Sequence, residues 1–258
     1  MIPDVHCHLG DLEDPHGALA GARRSGVGPV LAVSMGCEGA SVALRLRDAS
    51  RPGEVLAGAG IHPSRVPELD DEALRDECSR LESLAARADF IGEIGLDFRD
   101  AAGEPQRNRQ RALLDRLLSL AANLRLPVNM HTRRADRELV ECAERFRREN
   151  GLGVIMHWFT HSRSLARRCG ASEIHISAGP SILTDDRQAG VARSIDPRFL
   201  LVETDSPVVY AGRKACPAWA RRVAIRLASL HGTSLERMAS QLEANLESWR
   251  FAGRRPGA

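Results

Sequence analysis

The amino-terminal stretch Ile2-Pro3-Asp4-Val5-His6-Cys7-His8 reads as a β-strand that closes on two metal-binding side chains. Strand side chains alternate with period two, so His6 and His8 project to one face and both imidazoles can reach one ion. Ligand-type residues also close the apolar runs at Gly92-Glu93, Asn129-Met130-His131, Met156-His157-Trp158 and Glu203-Thr204-Asp205. A site assembled from the ends of successive strands is the layout of a (β/α)8 barrel enzyme.

Outward from that stretch, short apolar runs alternate with longer amphipathic segments. The strand candidates are residues 2–8, 29–34, 55–61, 90–96, 127–131, 154–157, 174–177 and 199–203. The clearest helical patterns cover 70–87, 105–124, 134–150, 217–231 and 234–250. In the second of these Leu113, Leu114, Leu117, Leu118 and Ala121 recur at three- and four-residue spacing, as a core-facing stripe should. Thr233 with Glu236 fits a capping box at the start of the last helix. Eight strands alternating with helices call for a parallel sheet, and closure into a barrel is the natural solution at this length. A doubly wound sheet competes, but no GxGxxG or GxxxxGK[ST] loop follows any strand. The expectation is an α/β fold, a (β/α)8 TIM barrel in a single domain over residues 1–251, with a disordered tail at 252–258.

At 258 residues the chain has the usual size for one such barrel and can bury a large core. With 36 basic and 34 acidic side chains the net charge is +2, and there is no long basic arm. Electrostatics alone therefore do not announce a nucleic-acid binder. The six cysteines are scattered without a CxxC pair, which speaks against a disulfide framework or a structural zinc knuckle. No basic-then-apolar leader opens the chain, and no apolar run reaches the ~20 residues that span a bilayer. The expected protein is soluble and cytoplasmic, with no membrane contact.

His6, His8, Glu93, His131, His157 and Asp205 fall at the carboxyl ends of the first, fourth, fifth, sixth and eighth strand candidates. In a barrel these ends converge on the face that carries active sites. Four imidazoles and two carboxylates exceed the needs of one ion and match two ions sharing a bridging carboxylate. A single histidine here would more often be structural; four of the nine at strand ends make a set. Such ligands suit two divalent cations, and zinc, manganese and magnesium all remain open.

Taken in order, DVHCHL (4–9), GIHP (60–63), GEIGLDF (92–98), PVNMHTR (127–133), HWFTHS (157–162) and ETDSP (203–207) resemble the TatD family of metal-dependent hydrolases and deoxyribonucleases. The likeness runs from residue 4 to about residue 251. It implies a (β/α)8 barrel with a two-metal site. Carried over, it puts His6, His8, Glu93 and Asp205 on one metal and Glu93, His131 and His157 on the second, with Glu93 bridging. His62 matches a family position near the scissile phosphate, against which stands a plain loop-packing role. Asp97 and Glu203 also match family positions, and Asp97 is expected to orient a histidine or a loop. Arg133 could meet a phosphate oxygen or stay solvated. Related barrel hydrolases that bridge their metals through a carbamylated lysine are excluded, because the sole lysine, Lys214, lies after the eighth strand.

The chain departs from the family at its substrate side. Trp158 stands where the family usually has Cys, and His161 where it has Gly. Trp158 could stack on a base or anchor its loop. His161 could add a metal ligand, touch substrate or face solvent. Lys214, in the loop after ETDSP, is a substrate contact or a chance placement. In the same loop Ala215-Cys216-Pro217 replaces an Asn-Glu-Pro stretch. The resemblance implies a two-metal phosphodiesterase or deoxyribonuclease with DNA as substrate. Asp205 is then expected to orient the attacking water and accept its proton, beside Glu93 and His62. A small phosphoester, lactone or amide on the same metals is the alternative. A non-catalytic binding barrel is a remote third, disfavoured by six intact ligands.

Overall fold

A computed structural model describes residues 1–99, 101, 103–160 and 162–253. Eight strands run β1 (Ile2–Cys7), β2 (Val27–Ala32), β3 (Val55–Ala59), β4 (Phe90–Asp97), β5 (Val128–Arg133), β6 (Val154–Met156), β7 (His175–Ala178) and β8 (Leu200–Val202). Each pairs in parallel with the next in chain order. The sheet curls back on itself where Cys7 bridges Ser206 beyond the end of β8. There the His8 N–H donates to the Ser206 carbonyl at 2.8 Å and the Asp205 N–H to the His6 carbonyl at 2.9 Å. Asp4 fastens the same seam, accepting from the Thr204 N–H at 2.9 Å and from its hydroxyl at 2.6 Å. The result is the expected (β/α)8 barrel, with strand ends shifted from the sequence reading by no more than about three residues.

The helices are α1 (Pro15–Arg24), α2 (Cys37–Ala49), α3 (Asp71–Ala85), α4 (Glu104–Leu124), α5 (Asp136–Asn150), α6 (Arg163–Ala171), α7 (Asp186–Ala192), α8 (Ala220–Leu230) and α9 (Leu235–Phe251). The α4 stripe of Leu113, Leu114, Leu117, Leu118 and Ala121 is buried as its spacing requires. The cap of α9 differs from the sequence expectation. Ser234 fills it, accepting from the Arg237 N–H at 3.3 Å, so the helix starts one residue later than a Thr233 capping box would place it. Between β8 and α8 the chain forms a small antiparallel hairpin, β9 (Val209–Tyr210) and β10 (Arg213–Lys214).

Val5, Leu31, Val33, Leu56, Ile155 and Leu201 form one buried cluster with Phe90 and Trp249. Trp249 of α9 seals the amino-terminal end of the barrel: its indole N–H donates to the Val128 carbonyl at 3.2 Å and its ring meets Phe90 edge-on. The opposite end is left for chemistry. Of the expected tail, Ala252 and Gly253 are described, the Gly253 carbonyl accepting from Arg125; residues 254–258 lie outside the described residues. Among the described residues no helix is long and apolar enough to cross a membrane.

Candidate metal centre

At the carboxyl ends of the strands, the side chains picked out from the sequence close around Glu93. Its Oε1 lies 2.9 Å from His131 Nδ1, 3.2 Å from His157 Nε2 and 3.5 Å from His62 Nε2. Its Oε2 faces the other way, 3.5 Å from His6 Nε2 and 3.6 Å from His8 Nε2. Asp205 Oδ1 completes that second group at 3.3 Å from His8 Nε2 and 3.8 Å from His6 Nε2. Each carboxylate oxygen of Glu93 therefore has its own imidazole neighbours, and the two sets meet where His6 stacks on His157, ring centroids 3.7 Å apart. Close strand approach makes this possible: at Gly95 a Cβ would lie 1.9 Å from the His131 carbonyl oxygen, so β4 and β5 can meet there only through glycine.

Hydrogen bonds on the far side of each ring decide which nitrogen is bare. The Asn129 amide donates to the Val5 carbonyl at 2.8 Å, which turns its oxygen toward His6 Nδ1 at 3.0 Å. His6 Nδ1 thus carries the hydrogen, and Nε2 is left as a lone pair, buried and without a hydrogen-bond partner. His157 Nδ1 meets Glu203 Oε1 at 3.1 Å, and the other Glu203 oxygen accepts from the Ser177 hydroxyl. His131 Nε2 faces Asp97 Oδ2 at 3.4 Å. His131 Nδ1 and His157 Nε2 are then both turned inward, 3.3 Å apart and beside Glu93 Oε1. His6 Nε2 is thus left unpartnered, and His131 Nδ1 and His157 Nε2 meet Glu93 Oε1 only by sharing a proton or a cation with it. This donor set fits metal ions, whose imidazole ligands characteristically donate their outer N–H to a carboxylate or carbonyl.

The protonation tendencies agree with the geometry. Burial pushes the Glu93 carboxyl up, but His62, His6 and hydrogen bonds from His131 and His157 hold it well below the usual carboxylate range. Burial disfavours a charged His157, yet Glu203 and Glu93 more than offset this and raise it well above an ordinary imidazole. His131 and His8 are raised in the same way by Asp97 and Glu93 and by Asp205 and Glu93 respectively, against burial. His62 goes the other way, lowered chiefly by burial. The pocket keeps its carboxylates ionised and gathers positive charge around them.

Asn129 is the positioning residue that sequence reading passed over. Its signal was available: it stands two residues before His131, hence on the same face of β5. Gln110 is another, donating to the Asp97 and Pro63 carbonyls at 2.9 and 3.2 Å and so tying the end of β4 to the His62 loop. Arg133 is exposed, with Nη1 3.8 Å from Asp97 Oδ2. Trp158 is half-buried, and its indole N–H donates to Ser181 Oγ at 2.9 Å. Lys214 pairs at 3.0 Å with Glu13, both side chains exposed. His161 lies outside the described residues.

Two clefts flank the centre. One, of about 440 Å³, starts at His8 and is lined by Asp11, Glu38, Glu68 and Glu77 against the single basic residue Arg65. The other, of about 420 Å³, opens beside His131, His157 and Asp205 and is lined by Arg133, Arg134, Asp136, Trp158 and Val208. One side of the centre is acidic; the other sets two arginines and an aromatic ring beside two aspartates.

Comparison with known proteins gives a consistent picture. The family model described as TatD related DNase matches residues 3–249. A metal-dependent hydrolase of Escherichia coli K12, YjjV, is 31% identical over 252 residues, 94% of this chain and 95% of that one. The crystal structure of YjjV superposes with a TM-score of 0.83 at 28% identity, covering 98% of both chains. A Pantoea vagans protein named 3′-5′ ssDNA/RNA exonuclease TatD is 28% identical over 239 residues, 87% of this chain and 88% of that one.

Proposed function

Taking as premise that the chain belongs to the TatD-related DNase family and is therefore a metal-dependent hydrolase, we propose that it cleaves phosphodiester bonds of single-stranded DNA at a centre of two divalent ions. The observation that carries the reading is the division of labour on Glu93, whose Oε1 faces His131 and His157 and whose Oε2 faces His6 and His8. His6, His8 and Asp205 with Glu93 would hold one ion; His131 and His157 with Glu93 would hold the other. When bound, the ions supply Lewis acidity toward the phosphoryl oxygens and lower the pKa of water into the neutral range. The imidazole-rich donor set favours zinc over magnesium.

The remaining steps belong to the chain's own side chains. Burial pushes the Asp205 carboxyl up, but the His8 hydrogen bond and its buried histidine surroundings hold it below the usual carboxylate range, so it can orient water and accept a proton. His62 Nδ1 accepts the Ser64 N–H at 3.1 Å, leaving Nε2 as the donor nitrogen, turned toward the centre. That N–H would bind a phosphate oxygen. Arg133 would meet another oxygen from the cleft side. No Ser, Cys or Thr is needed as a nucleophile.

We assign the whole catalytic unit to residues 1–251. The six free cysteines fit a reducing compartment, and on that basis we place the protein in the cytoplasm. The test is a screen of single-stranded oligodeoxynucleotides and small chromogenic phosphoesters with zinc, manganese and magnesium in turn. Oligonucleotide shortening supports the nuclease reading. Turnover of the small esters alone, with no shortening under any ion, would replace it with a small-molecule phosphoesterase.

A further inference from the structure

Trp158 follows the candidate ligand His157, and its indole is clamped in place. The backbone there takes a φ of 45°, unusual for a bulky residue, and its N–H donates to Ser177 Oγ at 3.3 Å. The indole N–H is satisfied by Ser181 at 2.9 Å. The ring lies against Gly179, where a Cβ would come within 2.9 Å of Cδ2, so only glycine leaves room for it. Tyr210 packs beside it, ring centroids 6.5 Å apart, with its own hydroxyl held by Thr184 and the Ser181 carbonyl. The Ser177 hydroxyl that steadies Trp158 also bonds Glu203, which orients His157.

The indole is only partly buried, and its accessible part lines the cleft beside His131, His157 and Asp205. With its polar edge already satisfied and one side occupied by Gly179, what it offers the cleft is apolar aromatic surface. Arg133 and Arg134, both exposed, line the same cleft and bring positive charge. The first turn of α5 adds backbone N–H groups, since Ala135 at its cap supplies no side-chain acceptor. Asp136 is the one carboxylate among the lining residues besides Asp205. The cleft on the other side of the centre is lined by four acids and would repel a phosphate chain.

We propose that the cleft lined by Trp158 is a nucleotide subsite in which Trp158 stacks on the base adjoining the scissile phosphate, while Arg133 and Arg134 meet the next phosphate. The proposal rests on the nuclease reading above and sharpens it. Stacking selects an unpaired base without reading its identity, so the substrate is a single strand of any sequence.

The test uses metal-free protein, titrated into a short single-stranded oligodeoxynucleotide carrying a terminal dye whose anisotropy reports binding, alongside copies in which each base in turn is replaced by an abasic residue. For the wild type, one abasic position should weaken binding by about 5- to 150-fold, the span of ~1–3 kcal/mol per stacked base. Trp158→Leu should lose the same factor on the intact strand and become indifferent to the abasic position. Trp158→Phe, which keeps an aromatic face, should stay within about threefold of wild type. A general collapse of the loop would weaken intact and abasic strands alike, and that outcome overturns the proposal. So does a wild type that binds every abasic strand as tightly as the intact one. If oligonucleotides are shortened yet show no such discrimination, the stacking proposal falls alone; if they are neither bound nor cut, the nuclease reading falls with it.

Discussion

His157 and His175 are buried histidines on neighbouring strands, one just past the end of β6 and the other first in β7, and they carry opposite chemistry. His157 has a carboxylate against each ring nitrogen, Glu203 at 3.1 Å and Glu93 at 3.2 Å. Among the described residues, neither ring nitrogen of His175 has a hydrogen-bond partner; its ring meets Phe199 edge-on. Burial disfavours the charged form of both. In His157 the two glutamates more than offset it. In His175 nothing does, and burial with the Arg147 charge lowers it to about 4. Burying an imidazole therefore does not make a site. What marks one is the carboxylate behind the ring, which fixes the tautomer and turns the other nitrogen inward. The two residues also sit at opposite ends of the barrel, the chemical and the structural.

The largest effect should come from removing the partnered histidine. His157→Ala is expected to lower phosphodiester cleavage by more than ~100-fold, because loss of a ligand must exceed the ~10–100-fold cost of losing its orienting partner. Steady-state kinetics at fixed metal concentration checks this, with His175→Leu run beside it and expected to stay within about twofold of wild type. Equal losses in the two variants would break the comparison. The next effect isolates the carboxylate. Glu203→Gln keeps the shape behind His157 but removes its charge, and should weaken divalent-ion binding by ~10–100-fold in a competition titration against a chelating dye. Unchanged affinity would mean that Glu203 supports the Ser177 and Trp158 contacts instead of the centre.

Period-two spacing at His6 and His8, and short apolar runs closed by ligand-type residues, were enough to place the barrel and its face of convergence. These are local signals, carried within single strands. Helices α1, α2, α6 and α7 were harder to see because their buried faces use mostly small side chains, such as Cys37, Ala40 and Ala43 in α2 and Ala166 and Cys169 in α6, and make no long leucine stripe. The clamp on Trp158 was invisible for a different reason. It needs Gly179, Ser181 and Tyr210 from later βα units, and their proximity is set by barrel closure. Lys214 shows the limit of rarity as a clue, since being the sole lysine says nothing about where the side chain points. It points to Glu13. Asn129 was legible in spacing but not in chemistry, because an amide two residues from a ligand becomes a positioning group only when its own donor is taken by Val5.

The smallest effect concerns the unpartnered histidine and tests the other half of the contrast. The folded-state pKa of His175, about 4, lies below the ~6.5 of an unfolded chain. Between those values the unfolded state binds more protons, so stability rises with pH across that window and is lost as pH falls through it. For this single group the loss from pH 7 to pH 5 is up to about 2 kcal/mol. His175→Leu replaces the ring with an apolar side chain that has no proton to gain and leaves no unsatisfied nitrogen, so at pH 7 it should be neutral or slightly stabilising. Urea unfolding of the metal-free proteins at the two pH values gives the difference directly, because every other titrating group is common to both and cancels. The variant should lose less stability on acidification than the wild type, by up to that ~2 kcal/mol. Parallel pH profiles would show that His175 finds a proton partner after all, and the distinction between the two histidines would then be one of degree.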